Sequence, residues 1–221
     1  MTSPVVEKKS KDALRLKKII GLLARAYPDA HCELNFSSPL ELLVATILSA
    51  QCTDVQVNLV TPALFKKYPT AAAYAAASLT DLEHDIRRIG LYRNKAKNIR
   101  AAAQLLVEKH HGVVPRTLEE LIELPGVGRK TANVVLGNAF DINVGVVVDT
   151  HVARLVHRLG ITKLVAPEKI EQILMKRVPR NQWTLFSHWL IWHGRRRCRA
   201  RNPDCPNCEL KTVCPSYPIT K

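Results

Sequence analysis

Apolar residues recur at helical spacing along most of the chain, and prolines, glycines and capping residues divide them into segments. Leu14, Leu16, Ile19, Ile20, Leu22, Leu23 and Ala26 predict a helix from about Ser10 to Tyr27, closed by Pro28. Ser38-Pro39-Leu40-Glu41 joins a capping box to a proline at the first helical position, which opens a strongly apolar core helix reaching about Ala50. The segment Gln51 to Asn58 is polar, with Thr53 and Gln56 spaced to cap the next helix. Thr70 to Ser78 is dense in alanine, and Thr80-Asp81-Leu82-Glu83 starts a helix expected to stop at Gly90. Leu91 to Lys97 reads as a bend with an apolar tip and exposed bases, ahead of a helix reaching about His110.

Thr117 and Glu120 start a short helix, Pro125-Gly126-Val127-Gly128 stops it, and a second begins at Arg129 and continues to about Phe140. Val144 to Val148 is a β-branched run too short to prefer as a strand, so a buried extended connector is expected. Asp149 then stands where a helix N-cap belongs, before Val152, Leu155, Val156 and Leu159, with Gly160 as the stop. Pro167 to Val178 and Asn181 to His193 read as two further helices, the second carrying Trp183, Trp189 and Trp192 as core and interface. About ten helices without strand alternation define an all-α class.

A chain of 221 residues, 47% of them apolar, can bury a substantial core as one large domain or two smaller ones. Its 33 Lys and Arg against 19 Asp and Glu give a formal charge of +14, which points to a polyanion such as nucleic acid rather than to lysines that are merely solvated. The lysine-rich start has no apolar core of signal-peptide length, and the best apolar stretch, Leu40 to Ala50, is short and carries Glu41. An intracellular protein without a membrane span is expected, with residues 1–9 as a disordered basic arm.

Two stretches carry candidate chemistry. The Gly126 and Gly128 turn lets a foreign backbone approach closely while the free amides at the start of the following helix point outward, an arrangement suited to phosphate. It lacks the third glycine and preceding strand of a dinucleotide fingerprint, and Arg129 separates Gly128 from Lys130 where a phosphate-binding P-loop would not. A purely structural αα-hairpin is the alternative. Near the end, Cys198, Cys205, Cys208 and Cys214 follow one another with six, two and five residues between them, broken by Pro203, Pro206 and Pro215. Thiolates this dense indicate a metal or iron–sulfur site before disulfides, and zinc would more usually come with two Cys-x-x-Cys knuckles than one. Cys32 and Cys52 read as small buried apolar residues.

Leu124-Pro125-Gly126-Val127-Gly128-Arg129-Lys130-Thr131-Ala132, followed by Val148-Asp149-Thr150-His151, resembles the helix-hairpin-helix and catalytic segment of the endonuclease III DNA glycosylases. The cysteine spacing is similar to the [4Fe–4S] loop of that family at every ligand, and the likeness extends over roughly residues 10 to 217. The resemblance implies two helical domains with an active-site cleft between them. One is a six-helix barrel at 32–142 that contains the hairpin, and the other is an iron–sulfur cluster domain made of 10–31 plus 143–221.

It further implies Lys130 as the nucleophile that forms a Schiff base and Asp149 as the carboxylate assisting base departure. An amine attacks only when neutral, and a free lysine is neutral in only about one molecule in 2500 at pH 7, so such a site must disfavour the ammonium form. Gln51, in Ser49-Ala50-Gln51, corresponds to a glutamine that enters the DNA stack, and Cys52 departs from the alanine expected beside it. Leu91 corresponds to a wedge inserted beside the orphaned base. Gly126, Gly128, Arg129 and His151 complete the expected DNA contacts, and Arg195, Arg196, Arg197, Arg199 and Arg201 would give the cluster loop a positive surface for phosphates.

The implied activity is removal of oxidised pyrimidines from duplex DNA, after extrusion of the nucleotide, with nicking on the 3′ side by β-elimination. An adenine mismatch-type glycosylase is the nearest alternative, although those relatives commonly lack the lysine. An abasic-site lyase only and a non-catalytic DNA-binding module are the others. The expected partner is double-stranded DNA containing damaged bases or abasic sites, bound by a monomer, cytoplasmic or nucleoid-associated.

Overall fold

The computed structural model describes residues 4–219, with side chains from Lys11 onward. Among the described residues the secondary structure is helical: α1 (Pro4–Ala26), α2 (Pro39–Ser49), α3 (Asp54–Lys67), α4 (Ala71–Ala76), α5 (Leu79–Asp85), α6 (Tyr92–His110), α7 (Leu118–Glu123), α8 (Arg129–Ala139), α9 (Thr150–Arg158), α10 (Pro167–Arg177) and α11 (Trp183–Arg196), with one 3₁₀ turn at Arg180–Gln182. None of these helices is long and apolar enough to cross a membrane. Two compact units divide the chain: Cys32–Val144, and Met1–His31 with Gly145–Lys221.

The first unit is built around α2. Ser38 Oγ accepts from the Glu41 amide to start it, and Leu42 to Leu48 are all buried, including Thr46, whose hydroxyl donates to Leu42 O at 2.7 Å. A helix apolar on every face needs neighbours on every face, and α3, α6 and α8 pack against it. α4 and α5 cover α6, and α7 lies on α8. Ile142 and Val144 pack on the same core. Cys32 and Cys52 are half-buried against that core rather than enclosed in it, and both stand in the connectors between helices.

In the second unit Ile19 and Leu23 of α1 join Val152, Leu155 and Val156 of α9, Ile170 and Leu174 of α10, and Phe186 and Leu190 of α11. The connector before α9 is extended and buried at Val146 and Val147 without joining a ladder, since the Val147 amide donates to Ser187 Oγ at 3.1 Å. Trp183 and Trp192 lie in the core with their indole N–H groups satisfied by Val178 O and His31 O.

Three expected boundaries change. Residues 4–9, taken as part of a disordered arm, are helical and extend α1, and residues 1–3 lie outside the described residues. α5 opens at Leu79 because Ser78, not Thr80, caps it, and it ends at Asp85 in a turn well before Gly90. The bend assigned to Leu91–Lys97 shrinks to its first residue: Leu91 caps α6 at φ +57 and the bases after it are helical.

Burial holds the His188 imidazole down to about 4, and nearby His31 adds to the effect. An unfolded histidine titrates near 6.5. As pH falls, the unfolded chain therefore takes up this proton first, so the contribution of His188 to stability is complete above about 6.5 and is lost between there and about 4. The denaturant midpoint is expected to fall between pH 7.5 and 5, with a shallower decline in His188→Gln.

Candidate active site

The hairpin is formed as its turn chemistry dictates. Thr117 Oγ1 accepts from the Glu120 amide and donates to the Glu120 carboxylate, a capping box that starts α7, and Val127 N donates to Leu124 O across the turn. Gly126 has φ +80, and a Cβ there would stand 2.9 Å from Asn98 of α6, so conformation and packing both require glycine. Gly128 differs. Its φ of −93° is ordinary, nothing lies within 4 Å of where its Cβ would be, and it caps α8 without a side-chain hydrogen bond. The first turn of α8 thus opens onto clear space, with Arg129 and Lys130 exposed.

Gln51 and Leu91 belong to the same unit as the hairpin and share an uncommon feature. Both are non-glycine residues in the left-handed region, at φ +53 and +57, and both are exposed. Their turns are neighbours: a Cβ on Gly90 would stand 3.8 Å from Gln51 O.

Asp149 belongs to the other unit, where Oδ1 accepts from the Val152 amide at 2.8 Å and caps α9. One carboxylate oxygen is engaged by the helix it starts, and capping leaves the other available for chemistry. His151 is half-buried two residues on. Its imidazole faces Gly194, where a Cβ would come within 3.1 Å of Nδ1, and Arg154 lies 3.2 Å from the same nitrogen. Burial is the chief reason its pKa is lowered from the ordinary value, while the Asp149 carboxylate pulls the other way.

The helix that begins at Asp149 also grips the cysteine loop. Arg154 donates to Gly194 O and Cys198 O, and Arg158 donates to the carbonyls of Cys198, Arg199 and Ala200 and to Cys198 Sγ at 3.3 Å. These two arginines were not singled out in the sequence. Their i, i+4 spacing on the face opposite the buried valines and leucines is the signal that could have found them. Arg197, expected to face phosphates, is instead bonded to Asp204 and Glu209, because the loop folds its own carboxylates back onto it. Arg199 and Arg201 are exposed.

The four loop cysteines are unpaired thiols, half-buried, and near enough to influence one another's ionisation. Burial raises Cys208 to about 11 and also raises Cys214, so at neutral pH both remain protonated unless a cation takes the proton's place. The Leu210 amide and Arg158 point N–H groups at the sulfurs of Cys208 and Cys198. Four soft donors, partly screened from water and supplied with N–H groups, fit a thiophilic metal centre. His193, Cys208 and Glu209 also bring donor atoms within 4.8 Å of one another. In that group, however, His193 Nδ1 meets Tyr27 OH at 2.9 Å and Glu209 is held by Arg197, so the group reads as support beside Cys208.

A hairpin that offers amides and a lysine, within an all-helical fold that ends in a cysteine loop, defines a class. Residues 44–180 match the HhH-GPD superfamily of base excision DNA repair proteins. Within it, the chain belongs to the endonuclease III family. It is 51% identical over 214 residues to Endonuclease III of Synechocystis sp., covering 97% of this chain and 98% of that one. Two solved structures, a non-covalent endonuclease III–DNA complex and a trapped endonuclease III–DNA covalent intermediate, each superpose with a TM-score of 0.88 at 47% identity, covering 92% of this chain and 95% of theirs.

The two glycines should separate in a thermal melt. Gly126→Ala must strain the backbone and displace Asn98, at a cost of about 1–3 kcal/mol and a Tm lower by several degrees. Gly128→Ala, which meets no neighbour and no backbone strain but replaces a glycine N-cap, should lower Tm clearly less than Gly126→Ala.

Proposed function

We propose that this chain is a bifunctional DNA glycosylase and abasic-site lyase of base excision repair that acts on oxidised pyrimidines in duplex DNA. The observation that carries the reading is Lys130, exposed in the first turn of α8 directly after an open glycine cap. Its family membership and its likeness to a chain trapped as a covalent DNA intermediate support the same chemistry.

The neutral Lys130 amine attacks C1′ of the damaged nucleotide, forming the C–N bond as the glycosidic bond breaks and its electron pair leaves with the base. The Asp149 carboxylate stabilises positive charge developing on the sugar. Opening of the sugar gives an iminium between Lys130 and C1′, which acidifies the C2′ proton. Loss of that proton expels the 3′ phosphate by β-elimination, and water then releases the lysine. The amides behind Gly128, with Arg129, hold backbone phosphate. Gln51 fills the space the extruded nucleotide leaves, Leu91 wedges in beside the orphaned base, and His151 completes the contacts.

Cys198, Cys205, Cys208 and Cys214 hold a [4Fe–4S] cluster. When bound, the cluster supplies a rigid cross-link for a loop too short in apolar residues to fold by burial. Arg154 and Arg158 hold the backbone of that loop, and Arg199 and Arg201 present charge to phosphate. The chain works as a monomer in the compartment that holds DNA, cytoplasmic or nucleoid-associated.

Borohydride should trap the wild-type chain on both thymine-glycol and abasic duplexes. Lys130→Gln should lose trapping on both while duplex affinity stays within about threefold, and Asp149→Asn should slow base excision by about 10²-fold or more, the scale of a lost electrostatic contact to a transition state. Trapping that survives in Lys130→Gln refutes the assigned nucleophile, and a product from the abasic duplex alone reduces the activity to a lyase. Arg158→Gln should lower iron retained per chain after exposure to air, read by metal analysis.

A further inference from the structure

Lys95 is a site-adjacent cation whose position the sequence misrepresents. It lies in a run of apparently exposed bases, yet only 4% of it is accessible, whereas its neighbours Arg93, Asn94 and Lys97 are exposed. Its ammonium donates to Leu48 O at 2.8 Å and to Ala50 O at 2.6 Å. Those carbonyls end α2, where the chain leaves the helix and the Cys52 amide turns back to Ser49 O instead of continuing the ladder. Burial lowers the pKa of Lys95 from its ordinary value, so the group is held there against a desolvation penalty that an exposed lysine would not meet.

The place it holds is specific. Gln51 follows directly on Ala50, and Leu91, whose carbonyl accepts the Lys95 amide, precedes it by one helical turn. Both are held in the left-handed region with side chains that project outward, and the Gly90 backbone runs beside Gln51 O. A glycine would adopt either turn without strain, so the left-handed geometry at Gln51 and Leu91 must be held by the structure around it.

We propose that Lys95 is a positioning residue: its ammonium ties the start of α6 to the end of α2, so that Gln51 and Leu91 meet the duplex as one preformed probe. This rests on the reading that both turns face DNA. Pre-organisation matters most where an intact base must be driven from the stack and least where the base has already gone. The clamp therefore acts on extrusion, upstream of the chemistry at Lys130.

The test compares the full-length chain with Lys95→Met, which keeps the stem and removes the donors, on a thymine-glycol duplex and a matched abasic duplex. Each carries 2-aminopurine opposite the lesion. The expected result is single-turnover excision of thymine glycol slowed at least tenfold, nicking of the abasic duplex changed less than threefold, and loss of the fluorescence rise that wild type produces on binding. Leu91→Ala combined with Lys95→Met should be no slower in excision than the slower single variant, because both act through one probe. Equal losses on the two duplexes, unchanged excision, or additive effects overturn the proposal. If Lys95→Met does not fold, Lys95→Arg, which keeps donors but not their placement, is held to the same comparison. A wild type that nicks abasic DNA without excising thymine glycol refutes the proposed glycosylase activity instead, and the fluorescence rise and its loss then decide the role of Lys95. A wild type that neither acts nor changes the fluorescence overturns both.

Discussion

Charged donors placed on the carbonyls at helix ends are the interaction on which the rest of this structure depends. A helix leaves its last carbonyls without partners, and an all-helical chain has many such ends to satisfy. Here long side chains from a second helix repeatedly do so: Lys95 of α6 at the end of α2, Arg15 of α1 at Leu159 and Gly160 beyond α9, and Arg154 and Arg158 of α9 at Gly194 and Cys198 on α11 and the loop after it. Each contact is favoured by the helix dipole as well as by the hydrogen bond, and each fixes the turn that follows. Gln51 and the cysteine loop lie in two of those turns.

The N-terminal ends complement this arrangement. Ser38, Thr53, Thr70, Ser78, Thr117 and Asp149 all close their helices with a side-chain acceptor. α8 begins at a glycine with no such acceptor, and α6 at a left-handed leucine. A cap is worth about 1 kcal/mol, and α10 and α11 also start without a side-chain acceptor, so several helices of the fold forgo that stabilisation. Asp149 caps α9 through Oδ1, which fixes the orientation of its carboxylate.

The cysteine loop follows a different physical logic. It has few apolar residues to bury, with Leu210 in the core and Val213 packed against it, and its backbone is held by arginines and an internal Arg197–Asp204–Glu209 cluster. Such a segment needs a cross-link, and four thiols supply the donors for one. Tyr27, His193 and Cys208 then connect α1, α11 and the loop through buried polar contacts, which couples the packing of this unit to the loop cysteines.

Local signals in the sequence determined much of this protein. Capping boxes at Ser38 and Thr117, the proline stops and the helical spacing of leucines all act over a few residues, and each yields the element it implies. The Gly126 turn was legible for the same reason. The distinction between Gly126 and Gly128 was not, because only the approach of Asn98 makes the first obligatory. Lys95 and Lys97 read alike as bases in one short run, and only the packing of α6 on α2 buries one and exposes the other. Arg158 went unremarked in the sequence because its partners belong to a loop forty residues later that only folding brings onto it. Short-range chemistry is written in neighbouring residues, whereas a side chain's partner across the fold is chosen by three-dimensional packing, which leaves no trace in the spacing of any single segment.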